Sequence, residues 1–310
     1  MAEAITSHAQ KRCAVVTGGN KGIGFEICKQ LASQGILVVL TARDVKKGNE
    51  AFEKLKDSGL SENVVFHQLD VVEPASIASL VDFIESHFGK LDILVNNAGA
   101  AGLMVEGDVS IIKEIIMADD LKVAGQEVPE IKADAKLIQT YDLAEGSLQT
   151  NYYGVKQMIE AFIPLLQLSS SPRIVNVSSL LGRLELLSHQ WAVEVLGDGE
   201  SLTEERVDKV VTEFLKDFKD GTAEAKCWPA TFTAYKVSKA AINAYTRILA
   251  KKYPTICINC VCPGYCKTDI TCNTGFSTAA EGAEGPVKLA LLPDGGPSGL
   301  FFSRKEVTTY

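Results

Sequence analysis

The first hundred residues alternate between short, continuous apolar runs and segments with helical spacing. Residues 13–17 form an apolar run closed by Gly18-Gly19, as expected of a buried strand ending in a turn. Ile23, Ile27, Cys28 and Leu31 follow at helical intervals and end near Gly35. The same pairing predicts strands at 36–41 and 64–69, and helices at 45–57 and 74–87, the last with Pro74 in its first turn. Residues 91–95 predict a fourth strand, 173–177 a fifth and 255–261 a further one. Strand and helix repeated in this way imply right-handed crossovers onto a parallel sheet covered on both faces. The fold class is therefore α/β: a single Rossmann-type, doubly wound parallel sheet of about seven strands, spanning residues 1–310 as one domain.

The rhythm slackens twice, at about 103–140 and 183–230. The first stretch contains Ile111-Ile112 and Ile115-Ile116. In the second, Val207, Val210, Val211, Phe214, Leu215 and Phe218 trace one face of an amphipathic helix, with Thr203 as its N-cap. Without Pro- or Ser-rich linkers, both read as excursions from the one domain. Each starts beside the active-site edge of the sheet, so together they are expected to form a substrate lid. Trp191, Trp228, Phe232 and Tyr265 either line it or pack the insertion's own small core.

Lys and Arg number 31 against 39 Asp and Glu, a formal charge of −8, so there is no net basic footprint for nucleic acid. No apolar run approaches the roughly 18 residues of a membrane span. The mixed segment before Cys13 does not resemble a secretory signal, and residues 1–10 are expected to be disordered. The eight cysteines then suit reduced thiols and a cytoplasmic location. Cys257, Cys260, Cys262 and Cys266 have spacings that suggest a metal. Alternation along 255–261 sends Cys257 and Cys260 to opposite faces, however, and no metal site is expected.

Thr17, Gly18, Gly19, Asn20, Lys21, Gly22, Ile23 and Gly24 join the first strand to the first helix. Glycines there let the backbone turn tightly and approach a pyrophosphate at the helix N-terminus. The second strand ends in Thr41-Ala42-Arg43, where an acid would otherwise grip the ribose hydroxyls. Asp44 comes one position later and reads as an N-cap. Two cations, Lys21 and Arg43, suit a 2′-phosphate, which favours NADP(H) over NAD(H). Further along, Tyr235 and Lys239 share a helix face at offset four. An ammonium beside a phenol lowers its pKa and makes it a workable general acid for a carbonyl.

With these motifs the chain resembles the short-chain dehydrogenase/reductases. The likeness rests on 17–24, Asp70-Val71, 96–99, Asn151, 174–179, 235–239 and Pro263-Gly264 followed by Thr268, in family order over nearly the whole chain. The resemblance implies catalytic roles for four residues. Tyr235 is the acid/base, Ser179 (rather than its neighbour Ser178) holds the substrate oxygen, Lys239 tunes the tyrosine and holds the nicotinamide ribose, and Asn151 anchors a relay water. It also implies cofactor contacts at Gly18, Asn20, Lys21, Gly22, Ile23, Gly24, Arg43, Asp70, Val71, Asn97, Ala98, Gly99, Pro263, Gly264 and Thr268, besides Tyr235 and Lys239. The separation of Ser179 from Tyr235 is much wider than is typical of the family. The extra helix at 207–218 would lie where many relatives dimerise, so a monomer is expected.

Residues 66–70, 163–168, 202–206 and 290–299 resemble one plant branch of the family, which holds menthone reductases, salutaridine reductase and broad carbonyl and aldehyde reductases. The function so implied is NADPH-dependent reduction of a bulky apolar ketone, such as menthone to neomenthol. An alkaloid ketone or a reactive aldehyde is the alternative substrate, and an NADPH sensor without chemistry is the reading from a different class.

Overall fold

In a computed structural model the described residues are 11–131 and 133–310, so the expectation for residues 1–10 lies outside them. Seven strands run parallel: β1 (Cys13–Val16), β2 (Leu37–Ala42), β3 (Val64–Gln68), β4 (Ile93–Asn96), β7 (Arg173–Val177), β8 (Cys257–Cys262) and β9 (Phe301–Ser303). The antiparallel β10 (Glu306–Thr308) extends the edge, giving eight strands in the order β10-β9-β8-β7-β4-β1-β2-β3. The continuous apolar runs are explained by burial on both faces. Along β1, Cys13 and Val15 enter one core, and Ala14 and Val16 enter the other.

Helices α1 (Gly22–Ser33), α2 (Val45–Leu55) and α10 (Ala279–Ala290) cover one face. The other is covered by α3 (Pro74–Phe88), α6 (Gly154–Gln167) and α9 (Thr233–Lys252). Helix α5 (Tyr141–Leu148) runs through a π-helical turn, Gln149–Tyr153, into α6. The chain leaves β3 at one edge and re-enters beside β1 as β4. The C-terminal ends of β1 and β4 therefore mark the switch point where open α/β sheets bind ligands.

The two insertions part company. The first folds as a hairpin of β5 (Met104–Gly107) and β6 (Ala135–Ile138), with α4 (Ile111–Val123) between them, and it lies over the switch point. The second contributes α7 (Gln190–Gly197) and α8 (Glu204–Lys219). Contrary to the expectation of a shared lid, none of residues 183–230 lines the cleft. The reason is the apolar stripe of α8: Val207, Val210, Val211 and Phe214 are fully buried in the main core beside α6 and α9. Thr203 caps α8 as predicted, accepting from Arg206 N–H.

Candidate active site

A cleft of about 1010 Å³ opens along the C-terminal ends of the strands. Its lining includes every residue nominated from the sequence for cofactor or catalysis except Asn151, which stands directly behind it. The half over α1 is built from backbone. Gly18 and Gly22 sit at φ 64° and 55°, a conformation that favours glycine. At Gly24 a β-carbon would stand 2.2 Å from the Gly18 carbonyl and 2.4 Å from Asn97 Nδ2, so only glycine allows the turn to close. Asn97 lines the cleft, and its side chain braces the turn, donating to the carbonyls of Thr17 and Gly18 at 2.9 and 3.2 Å. Thr17 returns the link by accepting from Asn97 N–H and Ala98 N–H, both at 2.9 Å. The resulting cradle of backbone N–H groups, at the start of an amphipathic helix, fits a dinucleotide pyrophosphate.

At the outer end of this half, Asp44 caps α2 by accepting from Lys47 N–H at 3.0 Å, and it is thereby diverted from a ribose. Lys21 is held by Asp269 at 2.6 Å, both side chains about two-thirds exposed. Arg43 is exposed, and among the described residues its guanidinium has no partner. Of the two nominated cations, then, Arg43 is the one left open to a phosphate.

The other half is where the candidate chemistry gathers. Both serines line the cleft, but their hydroxyls find different partners: Ser178 is buried and donates to Asn243 Oδ1 at 2.6 Å, while Ser179 accepts from Leu181 N–H at 3.1 Å. One turn into α9, Tyr235 lines the same wall. Lys239, only 5% exposed, donates to the Val177 carbonyl at 2.8 Å, and its ammonium lies 5.5 Å from the Tyr235 ring centre. Burial pushes the Lys239 pKa down to about 8. Burial also pushes the phenol of Tyr235 up, with Cys262 next in effect, while a side-chain hydrogen bond with Ser179 works the other way. The expectation of a lowered tyrosine pKa is therefore not met: desolvation outweighs the hydrogen bond with Ser179.

Asn151 lies in the π-helical turn, a feature that recurs at functional sites. Its Oδ1 accepts from Ala100 N–H at 2.8 Å. Its Nδ2 donates to the Ala100 carbonyl at 2.9 Å, to Ser238 Oγ at 3.0 Å and to Ser147 Oγ at 3.1 Å. Both ends of the amide are thus used to fix backbone and neighbouring hydroxyls. The side chain stands as a post directly behind the cleft.

Over Tyr235 the lid is apolar. Ile112, Leu181 and Phe232 are buried in one cluster with Tyr235 and Tyr265 packed against it. Phe232 and Tyr265 therefore line the cleft, whereas Trp228 stacks on His189 at 4.1 Å and meets Phe214 at 5.2 Å in the second insertion. Asp120 and Arg183, ion-paired at 2.8 Å, fasten α4 to the loop after Ser179. Sequence reasoning left both that pair and the cleft-lining Ile112, Ile116 and Met104 unassigned. The paired isoleucines at offset four were the available signal, since they mark a helix with one strongly apolar face. Among the described residues no group of His, Cys, Asp or Glu is placed to hold a metal, and no helix is long and apolar enough to cross a membrane.

A glycine-built nucleotide cradle opening onto a Ser–Tyr–Lys group, its lysine buried, defines a nucleotide-dependent oxidoreductase of carbonyls and alcohols. Comparison with known proteins agrees: a model of the short chain dehydrogenase family matches residues 12–119 and 224–276. The chain belongs to that family, and its enzymes work with a nicotinamide cofactor. It is 59% identical to (+)-neomenthol dehydrogenase of Capsicum annuum over 319 residues, covering 100% of each. It is 57% identical to salutaridine reductase of Papaver somniferum over 304 residues, 97% of each. Among solved structures, menthone neomenthol reductase from Mentha piperita superimposes with a TM-score of 0.87 at 54% identity, over 96% of this chain and 100% of that one.

Proposed function

We propose that the chain is an NADPH-dependent reductase of a bulky, apolar cyclic ketone, with a monoterpenoid ketone such as menthone as the first candidate. The observation that carries this reading is the meeting of two unlike halves at Tyr235, a polar glycine cradle on one side and the isoleucine-lined lid on the other. Similarity to the neomenthol dehydrogenase and the menthone neomenthol reductase supports the ketone. Arg43, with no acid at the second strand end to oppose it, supports the 2′-phosphate.

In this reading the carbonyl oxygen lies between Ser179 Oγ and Tyr235 Oη, and the lid excludes water around it. A nicotinamide cofactor held along Gly18–Gly24 and beside Lys239 would supply the hydride for the carbonyl carbon. Ser179 orients the oxygen with a hydrogen bond. Tyr235 delivers the proton that turns the developing alkoxide into the alcohol. Lys239, fixed on the Val177 carbonyl, places positive charge beside the phenolate left behind. Asn151 keeps Ala100 and Ser238 in register behind this set. Helix α8 packs on α9, and its Asp208 binds Tyr152 of the π-helical turn and Lys156 of α6, both at 2.7 Å. This covers the surface where the family resemblance would place a dimer contact, which supports a monomer. The eight free cysteines suit the cytoplasm.

A second reading, an alkaloid ketone, draws on the salutaridine reductase similarity. Turnover of NADPH and of NADH with menthone, an amine-bearing polycyclic ketone and pentanal separates the readings. Menthone reduced fastest, with NADPH strongly preferred and that preference lost in Arg43→Ala, is the expected result. NADPH bound but none of the three reduced would favour a sensor.

A further inference from the structure

Helix α9 carries Tyr235 and Lys239 yet begins without a cap of its own. The residue before it, Phe232, has no side-chain acceptor for the first N–H groups, and its backbone sits at φ 51°, ψ 34°. Bulky residues rarely occupy that left-handed region, and they stay there only when the surroundings hold them. Gln139, which ends the β6 side of the lid, provides the hold. Its Oε1 accepts from Thr233 N–H at 2.9 Å and its Nε2 donates to the Ala230 carbonyl at 3.1 Å. One amide thus grips the chain on both sides of Phe232 and caps an orphan helix N–H from outside the helix. Asp119 of α4 adds a second tie, an ion pair with Lys236 at 2.7 Å whose side chains are 12% and 4% exposed. Lys236 follows Tyr235 directly, and its N–H closes onto the Phe232 carbonyl at 2.8 Å. The ring of Phe232, itself buried, lines the cleft against Ile112 and Leu181, whereas Gln139 does not reach the cleft.

We propose that Gln139 is a positioning residue for substrate selection: by bracketing the left-handed turn it fixes the Phe232 ring as a rigid wall beside Tyr235. Selectivity for a bulky cyclic ketone then depends on a lid residue that never touches the substrate. The inference rests on the ketone-reductase reading above. Without the bracket the Phe232 backbone relaxes toward right-handed values and the ring swings away. A bulky ring loses its seat, while a small aldehyde, needing only Ser179 and Tyr235, does not.

The test compares kcat and KM for menthone and pentanal, with NADPH, in wild type and Gln139→Leu, which keeps the shape but not the hydrogen bonds. We expect the menthone KM to rise about tenfold, the range of one lost pocket contact, with pentanal kcat/KM changed by less than about twofold. Gln139→Glu accepts from Thr233 N–H but cannot donate to Ala230, and it should fall between the two. It also serves should the leucine variant not fold. Phe232→Gly removes the ring and tolerates the turn, so it should lose the menthone preference and make Gln139→Leu silent in its background. Equal losses for both substrates, or additive effects in the double variant, would overturn the inference alone. Wild-type protein that leaves menthone untouched would overturn the ketone reading and this inference with it.

Discussion

The two insertions enter the chain on the same edge of the sheet, yet they do opposite work. Residues 103–140 build a hairpin and one helix, whose Ile111, Ile112 and Ile115 pack in one small cluster with Leu181 and Phe232 beside the cleft. Residues 183–230 send the whole stripe of α8 into the main core and anchor it with buried polar links, Trp228 Nε1 to Asp217 at 2.9 Å and Tyr152 Oη to Asp208 at 2.7 Å. The difference lies in what each stripe meets. A wide apolar face beside two long helices is drawn into their core, whereas a face whose nearest apolar neighbours are cleft walls becomes a cover. Position in the chain predicts where an insertion starts, and its apolar face decides what it covers.

The comparison breaks most readily at Trp228. Trp228→Ala should cost about 3–5 kcal/mol, as for other large core truncations. That is roughly 10 °C in Tm for a chain of this size. Differential scanning calorimetry would show it, with the ratio of menthone to pentanal turnover unchanged in the surviving enzyme. Ile112→Ala should do the reverse. Its effect is about 1–3 kcal/mol on kcat/KM for the bulky ketone, the range for trimming a hydrophobic pocket, with a smaller change in melting. A selectivity change in the tryptophan variant, or none in the isoleucine variant, would erase the distinction.

The smallest effect comes from pH. Lys239 is pushed down to about 8 by burial, so reductive kcat/KM should fall as pH rises through about 8 and the ammonium is lost. Folding stability should not fall with it. Above that pH the unfolded lysine, near 10.4, still binds the proton that the folded one has released, and stability then rises with pH. In the second insertion, burial would raise the Asp217 pKa, but hydrogen bonds from Lys226 and Trp228 outweigh it and hold the carboxyl below its usual range. Its contribution is present above the unfolded value near 3.9 and is lost only in acid, so it is flat across this window. Activity and Tm measured together from pH 7 to 9 should therefore diverge.

Strand positions were legible because a doubly buried parallel sheet demands unbroken apolar runs, and the nucleotide turn because Gly18, Gly22 and Gly24 each meet a steric or conformational requirement. The Ser179, Tyr235 and Lys239 set was legible once spacing was joined to family resemblance. What the sequence hid was long-range polar pairing. Nothing local tells that Lys21 meets Asp269, that Arg183 meets Asp120, or that Gln139 caps a helix about ninety positions later. The π-helical turn at Asn151 was equally hidden, since hydrophobic spacing there still reads as ordinary helix. The edge strand β10 escaped notice because Glu306–Thr308 is short and exposed and so carries no buried pattern.

The central claim is that Tyr235 delivers the proton to a ketone oxygen in an NADPH-dependent reduction. It is tested most directly by NADPH consumption with menthone in wild type and Tyr235→Phe, with NADPH affinity measured in parallel by fluorescence. The account predicts a loss of about 10²–10⁴ in kcat, the usual worth of a positioned general acid, at unchanged NADPH affinity. A phenylalanine variant that turns over menthone at the wild-type rate would contradict it.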